Sequence, residues 1–210
     1  MTDDFTDREQ ACQRARRMVD TQIRARGLVN PRLLAAMAAV PRERFVPPAD
    51  REQAYEDRAL PTREGQTISQ PYIVALMTDM LDVQPGMKVL EVGTGSGYQA
   101  AILVEMGAHV VTIERHAALH EGARRVLDEL GYASKVTFVA GDGTRGWAAQ
   151  QPYDRIIVTA GAPDVPAPLG EQLADGGRMV LPMGDRAEHW LYTMAKRGGD
   201  RVRPRGEGGR

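Results

Sequence analysis

Lys88-Val89-Leu90-Glu91-Val92-Gly93-Thr94-Gly95-Ser96-Gly97 reads as a short buried strand running into a tight glycine turn. Residues 98–106 follow as an amphipathic helix. Glycines at 93, 95 and 97 remove the Cβ atoms from one side of the turn, so that a ligand can lie against the backbone. The helix behind the turn offers unpaired N–H groups and a positive dipole end to a negative group docked there. Downstream, the chain repeats this alternation. Strands are predicted at 109–113, 136–140, 155–158, 178–181 and 189–194, with helical segments at 119–130, 147–151 and 169–173 between them. Strands interleaved with helices predict an α/β fold with a doubly wound, mostly parallel sheet. In such sheets ligands bind at the carboxyl ends of the strands.

The spacing discriminates between ligands. A dinucleotide fingerprint G-x-G-x-x-G needs its third glycine where Tyr98 stands. Instead an acid, Glu91, precedes Gly93 by two positions, where it can hold the ammonium of an amino-acid-like ligand. A nicotinamide cofactor has no such group, which makes a nicotinamide oxidoreductase the least favoured reading. Glu114 closes the second strand about twenty residues beyond Gly93, where a carboxylate can accept hydrogen bonds from both ribose hydroxyls. Asp142 ends the third strand between Gly141 and Gly143. An Asx turn accounts for an aspartate there, and so does a ligand contact.

The formal net charge of −1 implies no bulk attraction to nucleic acid or to a membrane surface. Cys12 is the single cysteine, which rules out an intrachain disulfide and a cysteine-based metal cluster. His109, His116, His120 and His189 show no metal-ligand spacing, so no metal is expected. The acidic, polar start of the chain does not read as a signal peptide, and no apolar run approaches membrane-spanning length. A cytoplasmic location follows as the expectation. Residues 1–84 read as a helical and loop segment packed on the core. Within it Ala11, Ala15, Met18, Val19 and Ile23 form a stripe along 9–26, Gly27 ends that helix, and Asn30-Pro31 opens the next. Residues 58–70 show no period, and Pro71 opens a helix for which Ser69 is a candidate N-cap. Residues 85–195 form the ligand-binding core. Residues 196–210 read as a disordered basic tail, too rich in glycine and charge for a buried strand.

The glycine turn, with its preceding acid, resembles motif I of the S-adenosylmethionine (SAM) methyltransferases. Amino-group methyltransferases carry Asn/Asp-Pro-Pro-Tyr/Phe after the fourth strand, whereas this chain has Thr159-Ala160-Gly161-Ala162-Pro163. Further motifs narrow the resemblance. Gly65-Gln66-Thr67-Ile68-Ser69-Gln70-Pro71-Tyr72, the glycine turn, Gly141-Asp142-Gly143, Ala160-Gly161-Ala162-Pro163 and Leu181-Pro182-Met183-Gly184 fall in the order and spacing of the protein-L-isoaspartate O-methyltransferases. Val40-Pro41-Arg42-Glu43-Arg44-Phe45-Val46-Pro47 is similar to that family's N-terminal region. The resemblance implies a Rossmann-like methyltransferase fold and methyl transfer from SAM, leaving S-adenosyl-L-homocysteine. The acceptor it implies is the α-carboxylate of isoaspartyl residues in proteins or peptides, acted on by a monomer. It implies cofactor contacts at Thr67, Ile68, Glu91, Gly93, Thr94, Gly95, Ser96, Gly97, Glu114, Asp142 and Gly143, with Asp142 on the adenine amino group. It implies Ser69 as the active-site serine, and substrate contacts at Ser69, Tyr72, Ala162 and Pro163. The family's usual last strand has no counterpart in the tail. Two other readings stay open: a carboxyl methyltransferase of another peptide, and a SAM-binding protein without turnover.

Overall fold

The computed structural model describes residues 2–161, 164–184, 189–198, 200–201 and 205–207. Helix α1 (Thr2–Met18) turns Ala11, Ala15 and Met18 into the core, and a π-helical turn over Val19–Ile23 keeps Val19 and Ile23 buried with them. The chain then tightens into a 3-10 turn, Arg24–Arg26, and Gly27 ends it at φ +91°. The stretch 9–26 is therefore three helix types in series, not one helix. Apolar spacing marks the buried face but does not register the change from i→i+4 to i→i+5 bonding.

Helix α2 (Pro31–Ala39) starts as its sequence predicts. Asn30 Oδ1 accepts from the backbone N–H groups of Arg32 and Leu33 at 3.2 and 3.4 Å, and Pro31 occupies the first turn. Such a cap is worth about 1 kcal/mol. Two 3-10 segments, Arg42–Phe45 and Pro48–Gln53, lead to a hairpin of β1 (Leu60–Pro61) and β2 (Thr67–Ile68). Two-residue strands are too short for an alternating pattern to show in sequence. Helix α3 (Pro71–Leu81) follows, with Gln70 rather than Ser69 at its N-cap and no side chain closing it.

The main sheet contains β3 (Lys88–Val92), β4 (His109–Glu114), β5 (Val136–Ala140), β6 (Tyr153–Val158), β7 (Leu173–Gly184), β8 (His189–Arg197) and β10 (Arg205–Glu207), in the order β10-β8-β7-β6-β3-β4-β5. Strands β3 to β7 run parallel, and β8 turns back antiparallel to β7. Helices α4 (Tyr98–Glu105), α5 (Ala117–Glu129) and α6 (Ala167–Gln172) fill crossovers between the parallel strands. Alternation along each strand divides the core. Val89, Ile157 and Val180 face one apolar layer, shared with α2, α3 and α4, whereas Leu90, Ile156, Val158, Met179 and Leu181 face another with Leu169 and Leu173. Each fully buried side chain of this size contributes about 1.5–3 kcal/mol. Helix α4 is not amphipathic as expected. Every residue from Tyr98 to Val104 is buried, because the N-terminal helices cover the side that the sheet does not.

The tail also departs from its expected disorder. Strand β8 continues to Arg197, β9 (Asp200–Arg201) pairs with its end, and β10 pairs with residues 191–193 on the outer edge of the sheet. An edge strand is held through backbone N–H and C=O groups, which glycine and charged residues supply as well as any others, so composition unfit for a buried strand does not forbid this one. Positions 199, 202–204 and 208–210 lie outside the described residues. No helix among the described residues is long and apolar enough to cross a membrane.

Candidate functional site

The register brings the ends of β3, β4 and β6 together. Val92 pairs with Ile113 on one side and with Val158 on the other, so Gly93, Glu114 and Thr159 emerge side by side. Gly93 and Thr94 both donate to Ile113 O, and Thr159 Oγ1 donates to Gly93 O at 2.6 Å. The glycines do not all serve one purpose. A Cβ on Gly93 would lie 2.6 Å from Thr159 Oγ1, and one on Gly97 would lie 3.1 Å from Ala123 Cβ, so protein atoms fill both places. Only at Gly95 is the space beside the backbone open. The expectation of three bare positions along a ligand therefore narrows to one. Ser96 turns its hydroxyl back to the N–H of Tyr98 at 3.3 Å.

The acids sit at three depths. Glu91 is fully buried beneath the loop, where Thr112 donates to its Oε2 and Oε1 has no hydrogen-bond partner among the described residues. Burial pushes its carboxyl up to about 8, against the Thr112 hydrogen bond that pulls it down; the neighbouring Glu114 charge raises it further. Thr94 is buried as well, its hydroxyl 2.6 Å from that of Thr112. Both residues thus reach the loop from below rather than from its open surface. Glu114 is nearly buried and holds the loop directly: Oε2 accepts from Gly95 N at 3.0 Å and Oε1 from His116 N at 2.9 Å. Each oxygen keeps a lone pair for a ligand hydroxyl. Asp142 is exposed, and its Oδ1 accepts from both the hydroxyl and the N–H of Thr144, at 2.8 and 3.0 Å. Those bonds, the hydroxyl first, hold its carboxyl below the usual range. The aspartate makes an Asx turn and still presents a carboxylate to solvent. Beside it, Gly143 lies so close to Val92 that a Cβ would stand 2.5 Å from Cγ1.

The acceptor side is built differently. Thr67 is exposed, Ile68 is buried and Ser69 is half-buried at the exit of the hairpin. The Ser69 carbonyl accepts from Arg42 Nη2 at 2.7 Å. Tyr72 lies one residue into α3, and the Arg26 guanidinium sits 4.5 Å from its ring centroid. Arg26 also pairs with Asp57, whose carbonyl accepts from Gln70 Nε2 at 3.1 Å. Ala162 and Pro163 lie outside the described residues.

Arg42, Thr112 and Thr159 bond directly to Ser69, Glu91 and Gly93, contacts that motif reading misses. For Thr112 the period of β4 places the side chain on a known face but says nothing of Glu91 opposite. For Arg42 the string Val40-Pro41-Arg42-Glu43-Arg44-Phe45-Val46-Pro47 gives no sign that separates it from the exposed Arg44. A cavity of about 520 Å³ opens between α5 and residues 44–48, with Gly95 and Ser96 in its wall. Ser69, Glu91, Glu114 and Asp142 do not line it, so it adjoins the glycine loop without being the place where these residues converge. Among the described residues no group of three His, Cys, Asp or Glu stands close enough to hold a metal ion.

Known proteins share this arrangement. A profile described as protein-L-isoaspartate(D-aspartate) O-methyltransferase matches residues 13–207. A protein-L-isoaspartate O-methyltransferase of Syntrophus aciditrophicus is 61% identical over 170 residues, covering 81% of this chain and 78% of that one. Another from Methanoregula boonei is 54% identical over 188 residues, 90% of this chain and 86% of the relative. A solved structure named protein-L-isoaspartate O-methyltransferase superposes with TM-score 0.78 at 30% identity, over 92% of this chain and 66% of that chain. A Plasmodium falciparum protein solved in complex with S-adenosyl-L-homocysteine has the same fold, with TM-score 0.75 at 23% identity over 90% of this chain and 94% of its own. With a match that runs from residue 13 to residue 207, through the hairpin and the glycine loop alike, this chain belongs to the protein-L-isoaspartate(D-aspartate) O-methyltransferase family.

Proposed function

We propose that this chain transfers a methyl group from SAM to the free α-carboxylate of L-isoaspartyl residues in damaged proteins and peptides. The resulting methyl ester cyclises to a succinimide, part of which reopens as aspartate. The observation that carries this reading is the family match across residues 13–207, which takes in both the acceptor-side segment 67–72 and the glycine loop. Three features of the site, as the described residues build it, support SAM as the cofactor: open space beside Gly95, an exposed carboxylate at Asp142, and a buried Glu91 oxygen without a partner among those residues.

When bound, SAM supplies a methyl carbon made electrophilic by its sulfonium. The chain's own residues do the rest by placement. An α-carboxylate ionises at about pH 3.3–3.7, so the acceptor is already an anion at neutral pH and needs no general base. Ser69 donates its hydroxyl proton to one carboxylate oxygen and turns the other toward the donor. Thr67, Ile68 and the segment 93–97 would hold the amino-acid end of the cofactor, with Glu91 and Thr94 acting from beneath. Glu114 would accept from the ribose hydroxyls, while Asp142 and Gly143 would meet the adenine. Tyr72 would flank the substrate polypeptide. Orientation of this kind contributes several orders of magnitude when reacting atoms are held in line. The same reading makes the protein a cytoplasmic monomer that acts on polypeptide and not on nucleic acid or membrane, consistent with its formal charge of −1.

Isotope transfer from labelled SAM tests it, with an isoaspartyl peptide set beside its normal-aspartyl counterpart. A base-labile ester on the isoaspartyl peptide alone is the expected result. No ester on either peptide removes the substrate assignment.

A further inference from the structure

Arg42 belongs to a segment whose sequence declares no chemistry, yet it is the largest fully buried side chain among the described residues. Its Nε donates to Ala54 O at 2.7 Å and its Nη2 to Ser69 O at 2.7 Å. The guanidinium lies over the Tyr98 ring, with Cζ 4.7 Å from the ring centroid. Tyr98 is the first residue of α4 and follows Gly97 directly. Its ring also meets Phe45 edge-on at 5.4 Å, and Phe45 shares a 3-10 turn with Arg42.

This is a costly way to fill a core. Burying a cation carries a desolvation penalty of several kcal/mol, and here the hydrogen bonds go to carbonyl oxygens, with Nη1 buried and without a partner among the described residues. An apolar side chain would occupy the volume without that penalty. What an apolar residue does not offer is a planar fork that bonds to two chain segments while its cation sits over an aromatic ring of a third. The three segments are the loop before the hairpin, the residue proposed to orient the acceptor, and the helix that starts where the cofactor loop ends.

We propose that Arg42 is a positioning residue for methyl transfer, tying the Ser69 backbone to Tyr98 so that the acceptor side is held in register with the donor side. The inference rests on the reading of Ser69 given above. A shift of about 1 Å in such a register costs on the order of 100-fold in rate. Arg42 touches neither reactant, so its removal should act through Ser69 and leave cofactor affinity nearly alone.

The test is Arg42→Lys, which keeps the charge but loses the planar fork. Its kcat and KM for an isoaspartyl peptide are measured per folded molecule, and its affinity for S-adenosyl-L-homocysteine by calorimetry. We expect kcat/KM for the peptide to fall by about 10–100-fold with nucleoside affinity little changed. A folded variant with wild-type turnover overturns the inference, because the residue is then only core filling. An equal fall in nucleoside affinity and turnover also overturns it, since Arg42 would then serve the donor side. Should Arg42→Lys not fold, Tyr98→Leu removes the ring beneath the guanidinium and is read by the same outcomes. A wild-type chain inactive on isoaspartyl peptides would sink both this inference and the substrate assignment, whereas an active wild type beside an equally active Arg42→Lys sinks this one alone.

Discussion

The donor side and the acceptor side of this site are held by different kinds of force. Around the glycine loop nearly every contact involves the backbone: Gly93 and Thr94 hang from Ile113 O, Glu114 accepts from Gly95 N, and Thr159 closes on Gly93 O. Around Ser69 the contacts come from side chains distant in sequence. Arg42 reaches the Ser69 carbonyl, and Arg26 reaches both Tyr72 and Asp57. The first arrangement depends on strand register and on the absence of Cβ atoms. The second depends on a few long cationic side chains packed through the N-terminal segment. The lesson is that cofactor geometry is built into the sheet, whereas acceptor geometry is imposed on a short hairpin from outside it.

Gly93→Ala should strike hardest. Its Cβ would meet Thr159 Oγ1 at 2.6 Å, and φ +96° is strained for alanine. Overpacking and strain together should cost about 2–4 kcal/mol of stability, with S-adenosyl-L-homocysteine binding lost as well. Thermal unfolding and calorimetry check both; wild-type nucleoside binding would break the claim that the donor side depends on a close backbone approach. Ser69→Ala should come next and act on one side only. Losing a hydrogen bond to a charged acceptor corresponds to roughly 10–100-fold in methyl transfer, with nucleoside affinity preserved. If the two readouts fall together, the division between the sides is wrong at its centre.

Glu91→Gln sharpens the donor side through pH. Burial raises the carboxyl from its ordinary 4.5 to about 8. The wild-type fold therefore has its full stability from this group below about pH 4.5, and loses it progressively as pH rises toward 8. Glutamine has no such slope, so the melting temperature of the variant should gain on that of the wild type from pH 5 to 8. If Glu91 faces the ammonium of bound S-adenosyl-L-homocysteine, adding that ligand should flatten the wild-type slope; an unchanged slope argues against the contact. The smallest effect is expected from truncation after Arg197, which removes β9 and β10. A three-residue edge strand carries little of the core, so nucleoside affinity should hold and unfolding should shift by only a few degrees. A collapse of peptide turnover in that variant would place the sheet edge on the acceptor side.

Much of the donor side was legible from the order of residues. Strand ends at Val92, Glu114 and Ala140 follow from short apolar runs cut off by glycine or acid, and the Asn30-Pro31 cap follows from its two residue types. The resemblance to the methyltransferase family came from the same local strings. Less visible was which loop glycine faces open space, because that depends on Thr159 and Ala123, contributed by other elements. Sequence marks Glu91 as an acid able to hold a ligand ammonium, but its full burial and the bond from Thr112 emerge only from the fold. The strand at Arg205–Glu207 was missed because composition weighs side chains, whereas an edge strand needs only backbone and a free edge.

Residue order alone therefore settled the alternation of strands and helices, the glycine loop and the family that those strings match, since each is a relation among near neighbours in the chain. Tertiary structure decided the depth of Glu91, the open face at Gly95 and the bond from Arg42 to Ser69, partners 27 positions apart. Contacts of that span arise only once packing has brought separate segments together, and no local period encodes them.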